Sequence, residues 1–411
     1  MAALIPVSVH AHGEADDDAP APGWQVTTAL RQLHADTTLP SQALSGYLLK
    51  GDAGVDPRGR QLEHGSVAAT VQAFDGWLLH GELSRHGSDP SHLEAAWAGR
   101  SAGTLAGQPL SLRVGRQMPA MGALWTSAGH VDRFGLMPLA KQAATDGDWI
   151  DDGAQLSWRP ALHTPMGMLD QQVDVSLWQG HSFPGSRDTA GVPSLHWGAT
   201  LDSASGQWQL DAFASRAQVD ARGARLNLNG RGHSHIAPVC DASLSNVVCF
   251  SGRSVLAGWS LQWSGDGLNP VLAPLSLSAG VLQRRERGEL SSVNGQVDDH
   301  SVTSGQLLQA WWAGPVELGW RSERLMARHT LTGAGAGAVA QDAGLTGYAP
   351  ISRQALALAW PVPTDWLGWA RRGPVNEAGL RLSVEAGRES QGTQTVRFTA
   401  LRLVMDLGGA W

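Results

Sequence analysis

Long apolar runs are missing from this 411-residue chain, and none approaches the roughly 18 consecutive apolar residues that a membrane-spanning helix needs. With 50 Gly and 21 Pro it is also poor helix-forming material in general. Any bilayer crossing would have to be made of strands. Positive charge is not in excess either: 30 Lys+Arg against 37 Asp+Glu give a formal charge of −7, which argues against nucleic acid as a partner because phosphate binding needs a basic face. Only two cysteines occur, Cys240 and Cys249. They stand close together in a polar, loop-like segment, where a small disulfide loop and a pair of reduced thiols are both open. A Gly-rich phosphate loop with its Lys, an HExxH pair, a GxSxG elbow and CxxC spacing are all missing. His80 and Ser84 share a strand face but lack the orienting third partner that a hydrolytic triad needs. His233 and His235 read as solvated loop histidines. The expectation is therefore a protein that is not an enzyme and carries no cofactor and no metal.

What the chain does have is alternation. Leu401, Leu403, Met405 and Leu407 recur at every second position near the end, with Arg402 and Asp406 between them, and a period of two marks a strand with one apolar and one polar face. The same pattern returns through Leu380–Ala386, Val316–Arg321, Leu275–Val281, Val255–Trp263, Trp208–Ala214, Leu195–Leu201, Val173–Leu177, Ala154–Arg159, Leu110–Val114 and Trp77–Ser84. Weaker strands are read at Trp24–His34 and Leu93–Arg100, and one of ambiguous parity at Leu307–Trp312.

The links between these strands fall into two classes that largely take turns. Long ones run over Asp36–Gly65, Arg85–His92, Gln117–Asp152, Gly180–Pro193, Asp220–Arg253, Arg285–Val302 and Met326–Ser352. Mostly short ones lie between them, at Asp75–Gly76, Ser101–Gly107, Pro160–Met168, Ser203–Gly206, Ser264–Leu272 and Ala313–Pro315. Short turns at one end and long loops at the other define an up-and-down transmembrane barrel, and an even count of about sixteen strands follows. A Greek-key sandwich or a propeller gives no reason for every second link to be short. The Gln117–Asp152 link is the third at the long-loop end and the longest.

The plan of nearly the whole chain resembles the bacterial outer-membrane porins. The lead-in to the third long link, Leu112-Arg113-Val114-Gly115-Arg116-Gln117 followed by Pro119, resembles the strand that enters the constriction loop in general diffusion and phosphate-selective porins. The resemblance implies an all-β, up-and-down antiparallel barrel whose long third external loop folds into the lumen. It also implies insertion in the outer-membrane lipid bilayer and a homotrimer. Residues 1–11 read as part of a signal peptide, 12–23 as a flexible acidic terminus and 24–411 as the barrel. The 18 Trp, against 6 Phe and 2 Tyr, read as interface girdles, with Trp77, Trp158, Trp197, Trp208, Trp263, Trp320 and Trp411 near strand ends or on outward parity.

If the third loop is internal, Asp132, Asp146, Asp148, Asp151 and Asp152 on the loop would oppose Arg113, Arg159, Arg321, Arg381 and Arg402, which sit on the polar parity of their strands. Opposed charge across a narrow aqueous constriction orders dipolar solutes and tunes ion preference. The expected function is passive diffusion of small hydrophilic solutes or ions through a water-filled pore. On this reading Arg402→Ala spares folding and alters ion preference. Two alternatives stand beside it: a barrel that is plugged or sheathes a partner, and a secreted soluble β-rich carbohydrate-active protein.

Overall fold

The computed structural model describes residues 21–43, 58–87, 90–127, 133–145, 147–182, 191–226, 240–243, 247–346, 349–363 and 377–410. The strands are β1 (Gly23–Ala35), β2 (Gly59–Gln72), β3 (Leu78–Arg85), β4 (His92–Leu105), β5 (Gln108–Gln117), β6 (Asp151–Trp158), β7 (Ala161–Thr164), β8 (Gly167–Trp178) and β9 (Val192–Ser203). They continue as β10 (Gly206–Leu226), β11 (Val247–Ser264), β12 (Leu275–Ser292), β13 (Gly295–Ala313), β14 (Glu317–Thr332), β15 (Ile351–Pro361), β16 (Glu377–Gln391) and β17 (Gln394–Ala410). Among the described residues, four short α-helices lie in the links: α1 (Pro40–Ala43), α2 (Ala123–Ser127), α3 (Leu139–Thr145) and α4 (Ala336–Asp342).

Apart from β6 and β7, strands that follow one another in sequence pair antiparallel, and β1 pairs with both β2 and β17, so the sheet closes. The register at the seam runs without a shift from Gly23 opposite Ala410 to Ala35 opposite Phe398. β6 and β7 both pair with β8 and are two halves of one stave. They part at Arg159-Pro160, where proline has no N–H to give to the ladder. The result is a closed barrel of sixteen antiparallel strands. Closure satisfies the backbone hydrogen bonds of every strand, the condition that hydrocarbon imposes.

Burial inverts the rule for a water-soluble domain. The polar parity is buried, as with Ser260, Asp211 and Arg321, while the apolar parity is exposed, as with Leu356 at 64%, Val175 at 57% and Leu401 at 53%. These residues form a continuous apolar outer belt, as a lipid-facing wall requires. At the short-turn end Trp208 and Trp263 lie with ring centroids 6.4 Å apart, and Trp263 Nε1 donates to the Ser205 carbonyl at 2.8 Å. Trp158 Nε1 donates to the Leu105 carbonyl at 3.0 Å. An apolar ring with a bonded N–H suits the membrane interface. A second set of tryptophans is turned inward: Trp125, Trp149, Trp178 and Trp311 are buried. Trp411 lies outside the described residues.

The expected link classes need one correction. Residues 285–302 do not form a long loop, because β12 and β13 continue as a paired ladder to a tight turn between Ser292 and Gly295. The stretch carries Arg285, Glu286, Arg287, Glu289, Asp298 and Asp299, so no apolar parity betrays the strand. The long-loop end of this hairpin extends beyond the apolar belt. The barrel wall is accordingly uneven: β10 has 21 residues where β8 and β9 have 12 each. Leu307–Trp312 owes its ambiguous parity to apolar residues on both faces, since Leu307 and Trp311 are buried while Leu308 and Trp312 are exposed.

Candidate functional site

The third long link joins β5 to β6 and carries α2 and α3. Its segment 134–139 is held by side chains of the buried parity on five strands. Arg402 of β17 donates to the Phe134 carbonyl at 3.2 Å, Arg31 of β1 to Gly135 at 2.5 Å, Arg321 of β14 to Leu136 at 3.0 Å and Arg353 of β15 to Met137 at 2.7 Å. Four consecutive carbonyls thus each receive a different arginine. In the other direction the Gly135 and Leu139 amides donate to Glu385 of β16 at 2.5 Å and to Glu323 of β14 at 2.9 Å. This pairing satisfies an irregular backbone that would otherwise be buried without partners.

The arginines and glutamates also bind one another. Arg353 reaches Glu389 at 2.8 Å and Glu323 at 3.2 Å, Arg31 reaches Glu63 at 3.1 Å, and Arg402 shares Glu63. The Arg321 guanidinium lies 4.0 Å from the Phe134 ring centroid, a cation–π contact.

Farther along the link the contacts become apolar. Met121, Leu124, Trp125, Ala140 and Ala144 join Phe213, Leu256, Leu282 and Leu307 of the wall in one cluster. Two wall glycines make room for it. A Cβ on Gly305 would stand 2.4 Å from Ala140 Cβ, and one on Gly280 would stand 2.6 Å from the Trp125 ring. Such close approach is a reason for glycine within a strand.

A separate polar network lines β6, β8, β9, β10 and β11. His196 bridges two carboxylates, with Nδ1 2.8 Å from Asp174 and Nε2 3.2 Å from Asp211. Gln172 at 2.8 Å and Ser157 donate to Asp174, and Ser260 donates to Asp211 at 3.2 Å. The inner wall thus carries charged groups of both signs in several places: Arg–Glu pairs on β1, β2 and β14–β17, the Asp174–His196–Asp211 network on β8–β10, and Arg222, Arg284 and Glu286 on β10 and β12.

The residues singled out from the sequence take several places. Asp132 and Asp146 lie outside the described residues. Asp148 pairs with Lys141, both fully buried. Asp151 accepts the Gly180 and Asp152 amides at 2.9 Å each, and Asp152 pairs with Arg116 at 2.9 Å. Arg402 and Arg321 meet loop carbonyls, and Arg381 lies 3.5 Å from Glu317. Arg113 stacks over Trp97 at 4.8 Å, and Arg159 stands at the break between β6 and β7, its amide donating to the Pro109 carbonyl at 3.1 Å. Asp148 meets Lys141 and Asp152 meets Arg116, neither cation being one of the five wall arginines. Arg402 at 2% exposure and paired with Glu63 also changes the expectation for Arg402→Ala, which now includes a loss of stability. Cys240 and Cys249 are joined in a disulfide.

Sequence reading passed over Arg31, Glu323, Arg353 and Glu389. Arg353 and Glu323 occupy the polar parity of β15 and β14, a signal equal to that of Arg321. Glu63 could not be read in this way, because it is the extra residue in a bulge where Ala29 pairs with His64 and Leu30 with Leu62.

No protein-family model and no curated protein matches the chain. Among solved structures, a loop-deletion mutant of OmpT, an outer membrane protein of Vibrio cholerae, is 12% identical with a TM-score of 0.49, over 94% of this chain and 99% of that one. OprB of Pseudomonas putida is 11% identical with a TM-score of 0.48, over 94% and 93%. The outer membrane channel DcaP of Acinetobacter baumannii is 10% identical with a TM-score of 0.46, over 97% and 100%. The architecture assigned above rests on the strand pairing of this chain itself.

Proposed function

We propose that the chain is an outer-membrane channel for passive diffusion of small hydrophilic solutes or ions, narrowed by its third long link. The observation that carries this reading is the strap at 134–139. Its partners are side chains of the buried parity, which in a closed barrel with an apolar exterior is the inward one, so the link runs along the inner wall. A segment tied at successive peptide groups keeps a fixed position, which a size-selecting constriction needs. The described inner surface combines apolar packing against the link with Arg–Glu pairs and the Asp174–His196–Asp211 network, and charges of both signs along a narrow aqueous path orient dipolar solutes. Asp132, Asp146, Asp148, Asp151 and Asp152 belong to this link or its exit, and Arg113, Arg159, Arg321, Arg381 and Arg402 to the surrounding wall. On this reading the protein catalyses no reaction, and a homotrimer is the assembly proposed.

The apolar cluster around Trp125, Trp149 and Trp178 favours a second reading, a barrel whose bore is closed. Single-channel recording in a planar bilayer separates the two. Stepwise insertion of ohmic conductance is expected, and folded, inserted protein without conductance overturns the channel reading.

A further inference from the structure

At the long-loop end, two bulges on the strands that flank β3 bring polar side chains into one cluster. In β4, Glu94 is the extra residue between the pairs Glu82–Ala95 and Leu83–Leu93. In β2, the bulge beside His64 leaves that ring fully buried. His86 follows the end of β3, and His92 opens β4 opposite Ser84. Bulges re-aim side chains and are frequent beside functional sites.

We propose that His86, His92 and Glu94 form a binding site for a divalent transition-metal ion, with Zn2+ the best match to the donors. The donor atoms of the three all lie within 4.8 Å of one another. Glu94 Oε2 stands 2.8 Å from His92 Nε2 and 3.4 Å from His86 Nε2. Zinc bonds of about 2.0–2.1 Å in a tetrahedron put neighbouring ligand atoms about 3.3 Å apart, so small adjustments bring all three onto one ion. Two histidines and a carboxylate suit zinc and its neighbours far better than Mg2+ or Ca2+, which take oxygen donors.

The tautomers point the same way. His92 Nδ1 lies 3.3 Å from the Pro90 carbonyl, which can only accept, so in the neutral ring Nδ1 carries the proton and Nε2 offers its lone pair beside Glu94. His86 Nδ1 lies 3.3 Å from His64 Nδ1. With His86 donating there, its Nε2 is likewise the lone-pair nitrogen. A ligating histidine whose other N–H is held by a carbonyl or a second polar group is the usual support of a protein metal site. His64 is thus a positioning residue, not a ligand. The His92 side chain is 25% exposed, which leaves the site a solvent-facing side for the ion to enter and for a water ligand.

The test uses the full chain, folded in detergent, stripped with chelator and dialysed against Zn2+. Metal content is read by mass spectrometry and affinity by competition with a chromophoric chelator. One Zn2+ per chain is expected, undisturbed by excess Mg2+, and Co2+ in its place should show the absorption bands of a tetrahedral site. His92→Ala and Glu94→Gln should each weaken binding at least tenfold, and His64→Ala by about 10–100-fold. A His233→Ala/His235→Ala variant should bind as the parent does. His92 is partly exposed, so its alanine variant should fold, which heat-modifiable migration checks. Absence of stoichiometric Zn2+ from folded protein, or binding unchanged in both His92→Ala and Glu94→Gln, overturns the proposal and leaves an ordinary histidine–glutamate pair. Metal content is read without any reference to conduction, so this proposal and the channel reading stand or fall separately.

Discussion

Replacing Arg353 by alanine removes the centre of the strap. Its guanidinium reaches Glu389 through Nε at 2.9 Å, Glu323 at 3.2 Å, the Met137 carbonyl at 2.7 Å and the Ser41 hydroxyl at 3.0 Å. Glu389 and Glu323 are 0% and 3% exposed, so both carboxylates stay out of water when their cation goes. Breaking a buried pair by deleting one partner costs about 3–5 kcal/mol, most of it the uncompensated charge that remains. Arg353→Ala is therefore expected to lower the unfolding free energy by about that amount. Urea titration in phospholipid vesicles, followed by tryptophan fluorescence, reads it. Arg353→Lys keeps one charge but loses the planar fork that serves several acceptors at once, and should fall between the two. The decisive control is Arg353→Met with Glu323→Gln and Glu389→Gln. Each Gln still accepts its backbone amide, from Leu139 and Ser41, while the buried charge is gone, so most of the stability should return. A loss below about 1 kcal/mol for Arg353→Ala, the range of a solvent-exposed pair, would refute the reasoning that this cluster anchors the link.

Leu403→Arg places a charge on the outer belt between Leu382 and Leu30, and should impair insertion by about 2–4 kcal/mol if the site lies at mid-bilayer, read as lost heat-modifiable protein after folding into vesicles. Gly305→Val drives methyl groups into Ala140, so α3 should leave the wall while the barrel still forms; faster protease cleavage within the link and an altered single-channel conductance check this. Cys240 and Cys249 are nine residues apart and tie the link after β10 to the start of β11, so reduction should loosen this end by about 2–3 kcal/mol on the chain-entropy account. Trypsin cleavage rates at the neighbouring arginines, with and without dithiothreitol, measure it.

The barrel was legible because its two faces meet different solvents, and a period of two records that contrast residue by residue. Legibility failed where the contrast disappears. Above the belt, the buried face of β12 and β13 mixes Glu286 and Asp299 with Leu290 and Val297, while Arg285 and Arg287 face outward, so Arg285–Val302 carries no clean apolar–polar alternation. Inside, Leu307 and Trp311 face the third link rather than water, which makes an inward face look apolar. The site was half legible for a related reason. Parity pointed inward at Arg321 and Arg402, but which acceptor each would meet depends on a link whose path is set by contacts distant in sequence. The loop aspartates looked like natural counter-charges, yet peptide carbonyls take the arginines. Glu63 and Glu94, shifted by bulges, lie beyond what parity can assign.

Strands of unequal length reach unequal heights above the hydrocarbon. A strand needs about 9–11 residues to cross the hydrocarbon at a steep tilt. With β10 at 21 residues against 12 for β8, and about 3.3 Å per residue, the tall flank stands roughly 20 Å above its neighbour once tilt is allowed for. The paired ladder is then tall on the β10 flank and short at β8 and β9. The β10–β14 ladder therefore stands clear of the lipid as paired sheet with water on its outer face, whereas β8 and β9 end close to the membrane surface.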